Sequence, residues 1–211
     1  MPDANLVERL QTAILGSGGP VDEPSPSTAD RILDAATRRL GEVGVDATTM
    51  SSIAAEAGLS REWLYRHFPN RDAVLAAVVQ RELRRFINGL AVRASDRTDV
   101  VDALTDAFVY SVEFLRDQDI LTGVVDRNVR LAETERRDHA GAMVGVAVRT
   151  CAGYLVDPGG YDSATATVIA ETLTRLVGST VVAPKADLDL HDATTLRAYA
   201  ARVVPAVMRG C

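Results

Sequence analysis

Apolar residues recur at three- and four-residue spacing along most of this chain, while strict alternation is weak. That periodicity predicts an all-α protein. Ile32, Ala35, Ala36 and Leu40 form the inward face of a first helix over 28–44, with Gly44 after it. Met50, Ile53, Ala54 and Ala57 mark a short second helix over 50–57, and Leu64 and Phe68 anchor a third over 61–67. A longer fourth, 71–93, carries Leu75, Val78, Val79, Leu83, Phe86 and Leu90. The span 99–117 shows Val101, Leu104, Phe108, Val112 and Leu115, and 119–135 reads as a short, interrupted helix. Met143, Val146, Ala147, Thr150 and Tyr154 place another over 136–155, ended by Asp157-Pro158-Gly159-Gly160. The last two helices, 162–182 and 192–208, carry Ile169, Leu173, Leu176, Val177 and Val181, then Leu196, Tyr199, Val203 and Val207.

The polar punctuation between the second and fourth helices is more specific than the periodicity. Thr49 stands before an apolar run as an N-cap, and Gly58 follows the last periodic residue, where a left-handed conformation ends a helix. Leu59 fills the turn and Ser60 caps the third helix. Pro69 stops that helix; Asn70 caps the fourth, with Asp72 in its first turn, where a carboxylate is favoured. Two short helices joined by a tight glycine turn make a helix-turn-helix, the unit that lays its second helix in the DNA major groove. The outward positions of that helix are Arg61, Glu62, Trp63, Tyr65, Arg66 and His67.

These residues resemble the TetR family of bacterial transcriptional regulators. The resemblance is carried by Thr49-Met50-x-x-Ile53-Ala54-x-x-Ala57-Gly58-Leu59-Ser60, then Leu64-Tyr65-x-His67-Phe68-x-Asn70-Arg71-Asp72-x-x-Leu75, with the upstream helix fitting as well. It covers about sixty residues in order; the rest of the chain fits in length and helical pattern. Two positions depart from the pattern: Trp63 stands where a small residue is usual, and Leu40 where Phe is frequent. Trp63 lies on the recognition helix, so base preference does not transfer from relatives.

The resemblance implies an N-terminal three-helix DNA-binding head over 27–75, joined by the long helix to a larger helical ligand-binding and dimerisation domain over 76–211. Residues 1–26 form an extension, either mobile or weakly packed on the body. The implied function is sequence-specific transcriptional regulation: a homodimeric repressor released from a palindromic operator by a small hydrophobic or amphipathic effector. The alternatives are an activator, or a small-molecule-binding protein of the same fold without DNA-regulatory activity. Thr49, Ser60, Arg61, Glu62, Trp63, Tyr65, Arg66, His67 and Arg71 are the expected DNA contacts. Thr49, Tyr65, His67 and Arg71 suit phosphate oxygens, whereas Arg61 and Trp63 suit base edges. Phe108, Phe114, Met143, Tyr154 and Arg175 are the candidate effector-binding residues, with an ordinary packed core as the alternative for the apolar ones. The final two helices either pair with their copies in a dimer or pack within one chain.

The net charge of −6 over 211 residues looks wrong for a DNA-binding protein, but its distribution is uneven. Residues 27–90 hold nine Arg against eight acidic residues, while 1–26 carry −3 and 91–211 carry −4. The helix-turn-helix is therefore the least acidic part, and the remainder repels DNA, which orients the protein. The acidic leader is a poor minor-groove arm. No apolar stretch reaches bilayer length and the N-terminus lacks a signal-peptide pattern, so the expectation is a cytoplasmic protein without a membrane partner. Cys151 and Cys211 are too few and too far apart for a disulfide framework. Glu135 and His139 share helical spacing but have no third ligand, and neither a G-x-S-x-G nor a phosphate-loop motif occurs. No catalytic residue, metal or cofactor is expected, and the chain is not read as an enzyme.

Overall fold

The computed structural model describes residues 27–95, 99–117, 133–157, 159–185 and 187–210. Among them lie eight α-helices: α1 Thr28–Ala47, α2 Met50–Glu56, α3 Arg61–His67, α4 Arg71–Ser95, α5 Val100–Asp117, α6 Glu133–Val156, α7 Ser163–Val182 and α8 Ala193–Gly210. No strand occurs among the described residues. They divide into two compact units, a head of residues 27–85 and a body of 86–117 and 133–210, with the division falling inside α4. The expected extension over 1–26 and most of the interrupted helix over 119–135 lie outside the described residues.

The head is built as its sequence pattern dictates. Ser27 and Asp30 form a reciprocal capping box on α1, with Ser27 Oγ accepting the Asp30 amide at 3.1 Å and Asp30 accepting the Ser27 amide at 3.0 Å. Gly44, with φ 75° and ψ 175°, breaks the helical run within α1. The Thr48 hydroxyl, fully buried, donates to the Gly44 carbonyl at 2.7 Å. Ile32, Leu33, Ala35, Ala36 and Leu40 then close over Met50, Ile53, Ala54, Ala57, Leu64, Val74 and Val78 as one core. The buried alanines keep the helices close.

The inward face of α4 differs from the expected stripe. Val79 is 40% exposed, and the buried line in the head runs through Val74, Val78 and Glu82. Val79 lies about 100° around the helix from Val78, past the edge of the face that the head core covers. Glu82 is 2% exposed and is held by Arg81 at 3.3 Å and Arg85 at 3.2 Å. Arg81 also reaches α1, bonding Asp34 at 2.7 Å and the Thr37 hydroxyl at 2.9 Å. A paired, hydrogen-bonded carboxylate is the form in which a buried charge is tolerated.

In the body, Leu104, Phe108, Val109 and Val112 of α5 pack with Ile169, Ala170 and Leu173 of α7 and with Leu196, Ala200, Val204 and Met208 of α8. Among the described side chains of α6, Val148 and Leu155 are buried, while Ala147, Thr150 and Tyr154 of the expected stripe are half-buried; the side chain of Val146 lies outside the described residues. Tyr199 and Val207 are half-buried and packed against the buried line of α8, as are Leu176, Val177 and Val181 on α7. Within one chain, these stripes serve the core of the body.

Candidate nucleic-acid interface

α2 and α3 form the unit that their punctuation predicts. Thr49 Oγ1 accepts the Ser52 amide at 3.1 Å while Ser52 Oγ accepts the Thr49 amide at 3.0 Å, so α2 begins on a closed capping box. Gly58 adopts φ 65° in the turn, and Arg31 donates to the Ala57 carbonyl at 2.9 Å where α2 ends. Ser60 Oγ accepts the Trp63 amide at 3.2 Å and starts α3. Leu64 is fully buried and Phe68 half-buried, which turns every other position of α3 outward. Arg61, Glu62, Trp63, Tyr65, Arg66 and His67 are all exposed. Trp63 at 50% and Tyr65 at 46% are large rings left in solvent, an arrangement typical of a binding face rather than of a core.

The face is ordered by its own contacts. Trp63 and His67 stack with ring centroids 5.8 Å apart, and the Arg66 guanidinium lies 5.4 Å from the Trp63 ring centroid. Glu62 and Arg66 pair at 2.9 Å one turn apart. His67 Nδ1 lies 2.9 Å from the Trp63 carbonyl, so Nδ1 carries the hydrogen and donates, which leaves Nε2 facing outward. Arg71 is placed differently. Its guanidinium turns back to the carbonyls of Val45, in the last residues of α1, and of Thr48, just after it, at 3.3 and 3.4 Å. Arg71 therefore fixes where α4 starts, and Asn70 Oδ1 accepts the Ala73 amide at 2.8 Å to cap it.

The segment 32–78 matches the model of the bacterial regulatory proteins of the tetR family. An HTH-type transcriptional regulator of Mycobacterium tuberculosis (strain H37Rv) is 31% identical over 162 residues, covering 75% of this chain and 77% of that protein. The chain belongs to the TetR family of transcriptional regulators. Among solved structures it is similar to SmeT, the repressor of the Stenotrophomonas maltophilia multidrug efflux pump SmeDEF, at 28% identity and a TM-score of 0.57, over 85% of this chain and 89% of that one. SmeT is also known as a complex with triclosan. Salmonella enterica GusR shares the fold, with a TM-score of 0.64 at 18% identity over 90% of this chain and all of that one.

In this TetR-family regulator the described candidate effector residues lie in different surroundings. Phe108 is buried, 6.1 Å from the Tyr199 ring between centroids, and half-buried Tyr154 packs against the same core. Burial raises the Tyr154 hydroxyl above the usual phenol range, and the Asp99 charge adds to it. Phe114 belongs instead to a cluster with Phe86 and Tyr110, at 5.1 and 5.6 Å. Arg175 is 70% exposed and paired with Glu171 at 2.5 Å, on the outer side of α7. The side chain of Met143 lies outside the described residues, as do those of Glu135 and His139. The pattern reading missed Gly89. A Cβ there would collide with the Tyr110 hydroxyl, and Arg93 lies 3.9 Å from the Tyr110 ring centroid. Burial pushes the Cys151 thiol up to about 12, which makes it an inert core residue.

Proposed function

We propose that this TetR-family protein is a homodimeric repressor that reads a palindromic operator with two α3 helices and is released by a small hydrophobic or amphipathic effector. The observation that carries the reading is the exposed Arg61–His67 face, seated on buried Leu64 within the matched segment 32–78. Thr49, Tyr65 and His67 serve phosphate oxygens, and Arg61 and Trp63 serve base edges. Two-fold symmetry sets the half-sites about 34–36 Å apart. The effector site and the dimer contacts belong to residues 76–211, and the protein works in the cytoplasm. The complex of SmeT with triclosan supports an apolar ligand in the body. On α7 and α8 the fully buried positions serve the chain's own core, so a partner copy meets half-buried positions such as Leu176, Val177 and Val203 and outward ones such as Val168 and Val182.

Release has a thermodynamic signature. An effector that lowers DNA affinity must itself bind the DNA complex more weakly by the same factor. The test is fluorescence anisotropy with duplexes from the region upstream of the protein's own gene, with and without compounds that raise its melting temperature. Saturable binding of one dimer per palindrome, reversed by such a compound, is expected. Failure to bind any genomic duplex would sink the proposal. A stabilising compound that bound free and DNA-bound protein equally would not be the effector.

A further inference from the structure

We infer that Glu62 is a specificity-determining positioning residue, which reserves Arg66 for neutral base edges and denies it to phosphates. This inference rests on the reading of α3 as the DNA-reading helix. Glu62 stands in the first turn of α3 and Arg66 in its last, four residues on, with Arg66 Nη2 to Glu62 Oε1 at 2.9 Å. Both side chains are well exposed, at 62% and 78%, so the pair stands on the surface that meets DNA rather than in the core. The guanidinium has a second neighbour, the Trp63 ring at 5.4 Å, and that ring is backed by His67 at 5.8 Å. A carboxylate on one side and an indole on the other leave Arg66 few orientations. Arg61 makes no ion pair among the described residues, so the tie is specific to Arg66.

The chemistry of the possible partners separates them. A phosphate that approaches Arg66 brings a second anion beside the Glu62 carboxylate, and the two repel. A guanine edge offers O6 and N7 acceptors with no net charge, so it can share the guanidinium with Glu62. Arg carries five donors in a planar fork, enough to serve both. Glu62 therefore penalises backbone contacts, which occur on every sequence, and spares base contacts, which occur at one. Uncharged Gln at this position removes the penalty and keeps the size.

The experiment compares wild type, Glu62→Gln, Arg66→Ala and the double variant on a preferred duplex selected from a randomised pool and on a scrambled duplex. The expected result is that Glu62→Gln tightens binding to the scrambled duplex and lowers the preferred-to-scrambled ratio at least about fivefold, the low end of what one base contact discriminates. On scrambled DNA the slope of log affinity against log salt should steepen by about 0.9, one more neutralised phosphate. In the Arg66→Ala background Glu62→Gln should change neither quantity, because Glu62 acts through Arg66. An unchanged ratio in the single variant overturns the inference. So does an equal change with Arg66 absent, which would make Glu62 a direct contact or a general repulsive charge. Wild type without preference for any duplex would instead overturn the reading of α3 on which the inference stands.

Discussion

Arg71 shows what residue type and spacing leave open. As a cation at the start of a helix beside the recognition helix, it reads as a phosphate contact; the structure turns it to the Val45 and Thr48 carbonyls. The sequence marks the guanidinium but not the place where the carbonyls at the end of α1 come to rest, 23 and 26 positions away. Caps are different. Thr49, Ser60 and Asn70 were legible because each acts within three residues, a separation that the sequence displays directly. The stacking of Trp63 on His67 was not legible, because spacing of four permits contact without choosing the rotamers. Arg71→Ala should lower stability by about 0.5–1.5 kcal/mol, the ordinary net value of lost hydrogen bonds at a half-exposed site. It should weaken DNA binding to all sequences alike, since it displaces a scaffold and not a base reader. Urea unfolding and a preferred-to-random affinity ratio check both halves. An unchanged unfolding midpoint with lost affinity would mean that Arg71 leaves the carbonyls for a phosphate.

Helices were readable as elements where a polar residue or a glycine punctuates them, and less so where every face is apolar. Gly44 was read as the end of the first helix, and it is the residue whose backbone leaves the helix, at φ 75° and ψ 175°. That region is open essentially to Gly alone, so Gly44→Ala should cost about 1–3 kcal/mol. Gly153, in α6, offers the contrast: it has helical neighbours and a Cβ there meets nothing within 4 Å. Gly153→Ala should stabilise by about 0.5–1 kcal/mol, because it removes only chain entropy from the unfolded state. Paired thermal or urea unfolding of the two variants decides, and equal effects would contradict the conformational argument. The inward face of α6 was legible only in part, because Val, Ala and Gly occupy positions all around it: Ala147, Thr150 and Tyr154 are half-buried, and packing selects Val148 and Leu155 for full burial. α8 presents the opposite case. Pro205 lies inside it, where a proline costs about 3 kcal/mol, yet the helix continues because Val204 and Met208 are buried on either side.

For the whole molecule, the sequence shows where charge lies but not where the units part. Between Arg71 and Asn88 no glycine or proline interrupts α4, so nothing in the residues marks a division at Phe86; it follows from which core each half of the helix joins. Val74 and Val78 join the head core, while Phe86, Tyr110 and Phe114 contact one another in the body. The charge pattern leads further. A head near neutrality in a chain of net −6 limits favourable DNA contacts to the helix-turn-helix, so each copy of the protein neutralises a fixed, small number of phosphates. Each one contributes about −0.9 to the slope of log affinity against log salt on duplex DNA. The proposed dimer engages two heads on a palindrome, whereas on a single half-site its second head finds no matched partner. The slope on the full site should therefore be steeper than on the half-site, approaching twice its value, and affinity should fall steeply with salt on both. Titrations of the two duplexes at several salt concentrations measure this directly. Equal slopes would show that one head does all the binding, and a flat dependence would show that phosphate neutralisation does not drive it.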